Sequence, residues 1–448
     1  LSIEQKKADQ LAAKAAQINR QRFRKRFPQT TLILAGRKAT SRNGDVEYNF
    51  RQTSDFIHLS ACDLPDCILI IGPGIDLLCI PETDEHHLVW LGEAETKQSA
   101  KLKFGFKRCI YLEEIQKEWP KIIQKSEQFL CSEELKDDLL AINKRLKVEI
   151  FQADKDLEHL RVIKNDSEIA LMQKAADAAS AAHLEVMISV QPSMFEWEVK
   201  DLFDTTLKEN GVREHSFPTI AGTGRNGAVL HYTREQTKLR RGELLLLDAG
   251  GEHKGYASDI TRTYPVNGKF TIRQKQLYEL VLKAQEESIQ MIEPGVWMSD
   301  LQENVIRILT EGMLKYGFLK GDLKDLISKK CISLFYPHGC SHQLGLDVHD
   351  ISPPQRKPGA KVKVRSNQCL EAGMVITMEP GLYFIEAVLK NPEHRKKHRA
   401  HINFNKVDSY LDFGGIRIED DILVTRNGHR VLSDVPKSVE DIELLKQI

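Results

Sequence analysis

Residues 190–211, VQPSMFEWEVKDLFDTTLKENG, and residues 292–317, IEPGVWMSDLQENVIRILTEGMLKYG, share one punctuation. Each opens on an apolar residue and, two places on, a proline. Each then passes a short turn, runs as an amphipathic helix and closes on glycine, a residue that favours helix C-termini. Each is preceded by a long helical pattern, at 167–190 and 274–292, and followed by strand-like sequence carrying candidate ligands. A layout repeated at this scale makes the C-terminal domain a pair of related α/β halves, with a site expected between them.

Upstream of the repeat the pattern changes. Apolar runs TLILAG (31–36), CILIIG (67–72), LLCIP (77–81) and HLVWLG (87–92) are separated by Gly, Pro, Asn and Asp. They read as strands of a mixed α/β unit. Helical pattern returns at 112–126 and 133–146. The expected division is an N-terminal α/β domain over 1–155 and a second domain over 156–448. In RVIKNDSE (161–168), Asn165 and Glu168 have capping-box spacing, and Ser193 and Glu196 repeat it.

Composition sets the outer limits. The 448 residues are 41% hydrophobic, enough for a large core, and the length suggests two or three domains. Lys+Arg and Asp+Glu are equal at 64 each, so no global field favours nucleic acid or an acidic membrane. The helical pattern at 3–27 has a basic face (Arg20, Arg22, Arg24, Lys25, Arg26) that reads as a solvated surface, given the neutral total charge. The eight cysteines form no Cys-x-x-Cys pair and read as reduced thiols of a cytoplasmic protein. The N-terminus is charged and shows no leader pattern. No apolar run approaches the ~20 residues of a membrane span.

Five segments carry the chemistry: LLLLDAGGE, YASDITRTYP, FYPHGCSHQLGLDVHD, ITMEPGLY and GGIRIEDD. They hold Asp248, Asp259, His342, Glu379 and Glu419. Four carboxylates and an imidazole in one place repel unless cations join them, and a pair of divalent ions can activate water. An aspartate after four leucines is costly to bury unless it is paired or metal-bound, although it could also cap a turn. Asp248 and Asp259 flank the turn-rich GGEHKGY, so their strands form a hairpin with both carboxylates at one end. His338, His342 and His349 fall within twelve residues, beside Asp347 and Asp350. Strand alternation puts Arg417 and Glu419 on one face. His231 follows GTGRNGAV, which lacks the Gly-Lys-Ser/Thr of a phosphate loop. Cys340 and Ser341 flank His342, but a metal ligand cannot also serve them as a free base.

With these residues in view, the chain resembles the prolidase and aminopeptidase P family of metallopeptidases, along nearly its whole length. The resemblance implies an α+β protein: a small α/β domain like the creatinase/aminopeptidase P N-domain, then a pita-bread catalytic domain with pseudo-two-fold halves. It implies two divalent metal ions held by Asp248, Asp259, His342, Glu379 and Glu419. Oxygen-rich ligation favours Mn²⁺ on hardness, with Zn²⁺, Fe²⁺ or Co²⁺ as other occupants. Within the family, NRQRFRKRF, NFRQTSDFIHLS, AVLHY, PVNGKF and PGVW resemble prolidases. The charged insertion at 389–411 and Arg365, placed like the prolidase arginine that grips a substrate carboxylate, point the same way. Gln368, Phe217, Cys340 and Ser341 depart from the usual pattern.

The resulting expectation is an Xaa-Pro dipeptidase whose metal-bridging hydroxide attacks the scissile carbonyl. Glu379 shuttles the proton, while His338 and His349 stabilise the oxyanion. His231 lines the prolyl pocket, Arg365 meets the substrate carboxylate, and Arg417 orients Glu419 or its neighbours on the substrate side. The family also implies a homodimer. Two rivals stand beside this reading: an aminopeptidase P acting on longer Xaa-Pro peptides, and a metal-free binding module on the same scaffold.

Overall fold

A computed structural model describes residues 3–445 apart from positions 93, 354, 356, 361, 363, 365 and 366. The chain divides into two compact units, Leu1–Leu171 and Met172–Ile448.

The first unit is built on a mixed six-stranded sheet. Its strands are β1 (Thr30–Ala35), β2 (Ile68–Gly72), β3 (Ile75–Ile80), β4 (Arg108–Tyr111), β5 (Gln128–Cys131) and β6 (Val148–Ile150), in spatial order β4-β3-β2-β1-β5-β6. Alternation along β1 serves two cores. Leu32 and Leu34 join Phe23, Phe56 and Leu59 on one face, and Ile33 joins Ile70, Leu77, Trp119 and Phe129 on the other. Both faces are therefore covered, which explains why β1 and β2 read as continuous apolar runs.

Three expectations are corrected in this unit. HLVWLG is not a strand but belongs mostly to the helix Glu85–Leu91. Asp84 caps that helix by accepting from His87 N at 2.7 Å, and Leu88, Val89 and Trp90 remain exposed. The basic face of α1 (Ile3–Arg26) is not simply solvated. Arg20 is buried, donating to Leu59 O and Gly105 O with Nε 2.8 Å from Asp76, which Arg24 also meets. Residues 156–171, placed with the second domain from sequence, pack in the first unit. Arg161 pairs with Asp55 at 2.8 Å, Arg22 donates to Ile163 O, and Asn165 donates to Asn19.

Long helix α2 (Asp166–Ser189) opens on the expected box. Asn165 N donates to Glu168 Oε2 at 2.8 Å and Glu168 N to Asn165 Oδ1 at 3.2 Å. The second unit then follows the repeat. Helix α3 (Glu196–Glu209) buries Val199, Phe203 and Leu207 at four-residue spacing and ends at Gly211, φ +82°. Strands β7 (Ile220–Thr223), β8 (Leu244–Ala249) and β9 (Ile260–Pro265) form an antiparallel sheet in the order β7-β8-β9. Helices α4 (Ile272–Ile289) and α5 (Met298–Lys315) pack together at Gly312. A Cβ there would sit 2.2 Å from a Leu280 methyl, so any larger residue would have to displace the Leu280 side chain. Strands β10 (Val375–Met378) and β11 (Gly381–Tyr383) come next. They are followed by β12 (Gly415–Arg417), β13 (Asp420–Thr425) and β14 (Gly428–Val431), forming β10-β13-β14 and β11-β12.

The repeat is visible bond by bond. Ser193 N donates to Leu239 O and Leu239 N to Met194 O; Gly295 N donates to Leu370 O and Leu370 N to Val296 O. Glu196 N meets Thr237 O as Met298 N meets Gln368 O. Ser193 and Gly295 even share a positive φ, +84° and +96°. The capping expectation at Ser193 fails for that reason: its backbone is turned away from the helix. Glu198 takes the reciprocal role instead, accepting from Phe195 N at 2.7 Å.

No helix among the described residues is long and apolar enough to cross a membrane. All eight cysteines are free thiols.

Candidate metal centre

The repeat dictates where the acidic residues fall. Leu239 and Leu370 are equivalent in the backbone pairing above, and nine residues further on stand Asp248 and Glu379. Asp248 lies near the end of β8 and Glu379 follows β10. Asp259 immediately precedes β9 and Glu419 immediately precedes β13. Asp248 is registered opposite Thr261 and Met378 opposite Asp420. Each half thus brings one carboxylate from an outgoing strand and one from the returning strand. The halves meet where Glu419 N donates to Thr261 O at 3.0 Å.

Ligating atoms of Asp259, His342 and Glu419 all lie within 4.8 Å of one another. His342 Nε2 is 3.5 Å from Asp259 Oδ2 and 3.6 Å from Glu379 Oε1. Its Nδ1 lies 3.0 Å from Gln343 O, which fixes the ring and leaves Nε2 for the carboxylates. Arg417 is buried behind the cluster. Its Nη2 donates to Asp248 Oδ2 at 2.6 Å, its Nε to Thr261 Oγ1 at 3.1 Å and its Nη1 to Tyr383 Oη at 2.9 Å. Thr261 Oγ1 in turn donates to Glu419 Oε2 at 2.7 Å.

One arginine does not balance four acids. Burial, then the neighbouring Asp259, pushes the Asp248 carboxyl up to about 6 against the pull of Arg417. Burial raises Glu379 to about 7, with Asp259 and Asp248 adding to it and His342 and Arg417 opposing. Glu419 is raised well above the carboxylate range by burial and then by the other three acids. Burial works against charge on His342, but Asp259 and Glu379 outweigh it and lift the imidazole to about 9. These groups titrate as a set. Asp248 Oδ1 is buried and receives no hydrogen bond among the described residues. An excess of buried negative charge with an acceptor left over suits divalent cations, whose hard character matches oxygen ligands.

The remaining sequence candidates fall as follows. His338 Nε2 meets Tyr383 Oη at 2.8 Å and its Nδ1 meets Gly339 O at 2.8 Å, with Glu379 Oε2 3.5 Å away. Burial, then Arg417, holds His338 down near 3, so it is neutral. Gly339 O requires the proton on Nδ1, so Nε2 accepts from Tyr383 while Tyr383 accepts from Arg417. His349 is exposed and stands edge-on to His342, ring centres 4.4 Å apart. His231 is exposed, and Tyr232 beside it packs against Tyr383, the hydroxyl that His338 meets. Arg365 lies outside the described residues. Cys340 is buried, and burial with Glu379 pushes its thiol up, so it offers no nucleophile.

Tyr383 is not picked out by the sequence: in ITMEPGLY the acid Glu379 is the conspicuous polar residue, and only the fold brings Tyr383 to Arg417. Asp421 was also missed. Its carboxylate accepts from Asp259 N at 3.1 Å, and the tandem acids of IEDD were the signal.

A family profile described as metallopeptidase family M24 matches residues 170–426, and one described as aminopeptidase P, N-terminal domain, matches residues 16–131. The chain belongs to metallopeptidase family M24. Among its M24 relatives, the Xaa-Pro aminopeptidase of Escherichia coli (strain K12) is 32% identical, over 96% of this chain and 98% of that one. A probable Xaa-Pro aminopeptidase of Aspergillus fumigatus is 33% identical, over 95% and 94%. Zn-substituted E. coli aminopeptidase P in complex with product superposes with a TM-score of 0.84 at 31% identity, covering 97% and 98%. Pseudomonas aeruginosa aminopeptidase PepP gives 0.85 at 30%, with the same coverage. The M24 chain therefore has the expected architecture, an aminopeptidase P-type N-domain followed by a pita-bread catalytic domain.

These likenesses overturn the dipeptidase expectation, because the relatives and structures named above are aminopeptidases P. The insertion that argued for a dipeptidase is scaffold. Helices Pro392–His398 and Phe404–Asp408 pack on the segment around Phe318: Asn403 N donates to Phe318 O, Tyr410 stacks edge-on at 4.8 Å, and His401 meets Asp325 at 2.9 Å.

Proposed function

We propose that the chain is an Xaa-Pro aminopeptidase, releasing the N-terminal residue from peptides with proline second. The likeness to aminopeptidases P over nearly the full length of both chains carries this reading. The acid cluster shared between two half-domains supports a hydrolytic metal centre. Asp248, Asp259, His342, Glu379 and Glu419 would hold two divalent ions, and Mn²⁺ suits the oxygen-rich set best. When bound, the ions supply Lewis acidity to the scissile carbonyl and to the attacking water.

The chain's own residues do the rest. Glu379, reaching towards both His342 and His338, takes the proton from water and delivers it to the departing prolyl nitrogen. His349, exposed beside His342, donates to the developing oxyanion. His338 is held neutral and oriented by Tyr383 and Gly339, and can join the oxyanion only by giving up one of those bonds. His231 lines the prolyl side. Arg417 holds Asp248 and Tyr383 in place. A homodimer remains the proposed assembly, testable by light scattering.

The direct comparison is Ala-Pro against Ala-Pro-Ala with metal-loaded protein. Preference for the tripeptide is the expected result, and exclusive cleavage of Ala-Pro would overturn the reading.

A further inference from the structure

The carboxylate of Glu196 is fully buried, yet it belongs to neither the metal centre nor a helix cap. Four donors, none of them cationic, converge on it. Oε1 accepts from Thr223 N at 2.9 Å and Asn226 Nδ2 at 2.8 Å; Oε2 accepts from Tyr232 Oη at 2.9 Å and Thr237 N at 2.9 Å. Thr223 and Asn226 stand at one end of the segment that carries His231, and Tyr232 and Thr237 at the other. The backbone reinforces the grip, with Glu196 N on Thr237 O and Trp197 N on Glu235 O, both 3.1 Å.

The internal repeat shows that this fold does not require an acid here. The equivalent residue of the second half is Met298, which makes the same backbone bond, to Gln368 O, with a buried apolar side chain. A buried carboxylate costs several kcal/mol unless its lone pairs are satisfied. The first half accepts that cost, and its return is confined to the 223–237 segment. Tyr232, adjacent to His231, packs with Ile220, Ala228, Leu246 and Tyr383. Tyr383 is the hydroxyl shared by His338 and Arg417. The carboxylate therefore fixes the segment against the wall of the metal centre.

We propose that Glu196 is a positioning residue: it clamps both ends of the 223–237 segment so that His231 keeps its place on the prolyl side of the substrate. The role of His231 rests on the aminopeptidase reading, whereas the clamp does not. Glu196→Gln keeps the volume but cannot accept from all four donors, since its amide would face the Thr237 N–H or the Asn226 and Thr223 donors. Two measurements test it on the metal-loaded chain. Trypsin cleavage at exposed Arg234 and Lys238 reads the clamp, and it should accelerate at least about tenfold in Glu196→Gln as the segment opens locally. A double-mutant cycle with His231→Ala, read as kcat/KM on Ala-Pro-Ala, reads the positioning. Glu196→Gln should cost about tenfold alone, mostly in KM, and less than about twofold once His231 is gone.

Should Glu196→Gln fail to fold, Tyr232→Phe, which removes one donor, is expected to accelerate the same cleavage to a smaller degree. Unchanged proteolysis in both variants, or losses that simply multiply, would overturn the proposal. If the wild-type chain cleaves no Xaa-Pro peptide, the aminopeptidase reading fails while the proteolysis still decides the clamp.

Discussion

Arg417 Nη2 stands 2.6 Å from Asp248 Oδ2, both groups almost wholly buried, and Nε of the same guanidinium lies 4.0 Å from Glu419 Oε2. Its removal should matter most when no metal shares the load. Arg417→Ala is expected to lower stability by about 3–5 kcal/mol in chelated protein, the cost of orphaning a buried charge. The loss should be clearly smaller in metal-loaded protein. Melting curves of both forms check this, and equal losses would show that the metals do not offset the acids.

The chelated chain should lose stability as pH rises from 6.5 to 9. His342, lifted to about 9, binds its proton more tightly folded than unfolded, so its contribution is present below about 6.5 and disappears by 9. Glu379, raised to about 7, adds the same sign at the lower end of that window because the fold holds a proton the unfolded chain has released. Below 6.5 the buried His183, held near 3 by burial, takes the opposite sign, since the unfolded chain then binds the extra proton. Metal-loaded protein should not share the decline, because binding favours deprotonated ligands. Melting temperature against pH with and without chelator tests the sign.

Asp420 ties the returning strand of the second half to β9. It accepts from Arg262 Nη2 at 2.6 Å, Gln285 Nε2 at 2.6 Å, Ser433 Oγ at 2.7 Å and Lys437 Nζ at 2.7 Å. Asp420→Asn leaves the buried Arg262 and the partly buried Lys437 without their counter-charge. It should destabilise by about 3–5 kcal/mol, measured by urea unfolding of metal-loaded protein.

Ser193 holds φ +84° where its counterpart in the repeat is Gly295. A left-handed backbone costs an L-residue about 1–2 kcal/mol, partly returned because glycine has more freedom to lose. Ser193→Gly should therefore stabilise by roughly 0.5–1 kcal/mol. An unchanged urea midpoint would mean that Ser193 is not strained.

Much of this is legible in the sequence. Asp248 stands out because an aspartate after four leucines is costly to bury unpaired; Asp259, His342, Glu379 and Glu419 join it through the five segments that carry the family resemblance, and the repeat tells where they meet. Other features depend on long-range geometry. Ser193 and Glu196 have the spacing of a cap, but a backbone turn at Ser193 passes that role to Glu198 and frees Glu196 for the His231 segment. HLVWLG has a strand's composition, and the cap at Asp84 makes it a helix. Tyr383 lies in an apolar run and becomes polar in role only through Arg417. The insertion at 389–411 looked like a specificity device because sequence shows length without showing what it packs on.

Glu379→Gln separates binding from chemistry. Loss of the proton shuttle should reduce kcat by about 10²–10⁴-fold, with KM for Ala-Pro-Ala little changed. Wild-type turnover in a metal-loaded variant would remove Glu379 from that role.

Bound metal lets this M24 chain, on the function proposed above, remove one residue ahead of proline. Mass-spectrometric product analysis of Ala-Pro-Ala-Ala, with chelated protein and again after reloading with Mn²⁺, tests it most directly. Free Ala and Pro-Ala-Ala are expected after reloading, and intact peptide before. Release of Ala-Pro as a unit, or the same products from the fully chelated chain, would contradict it.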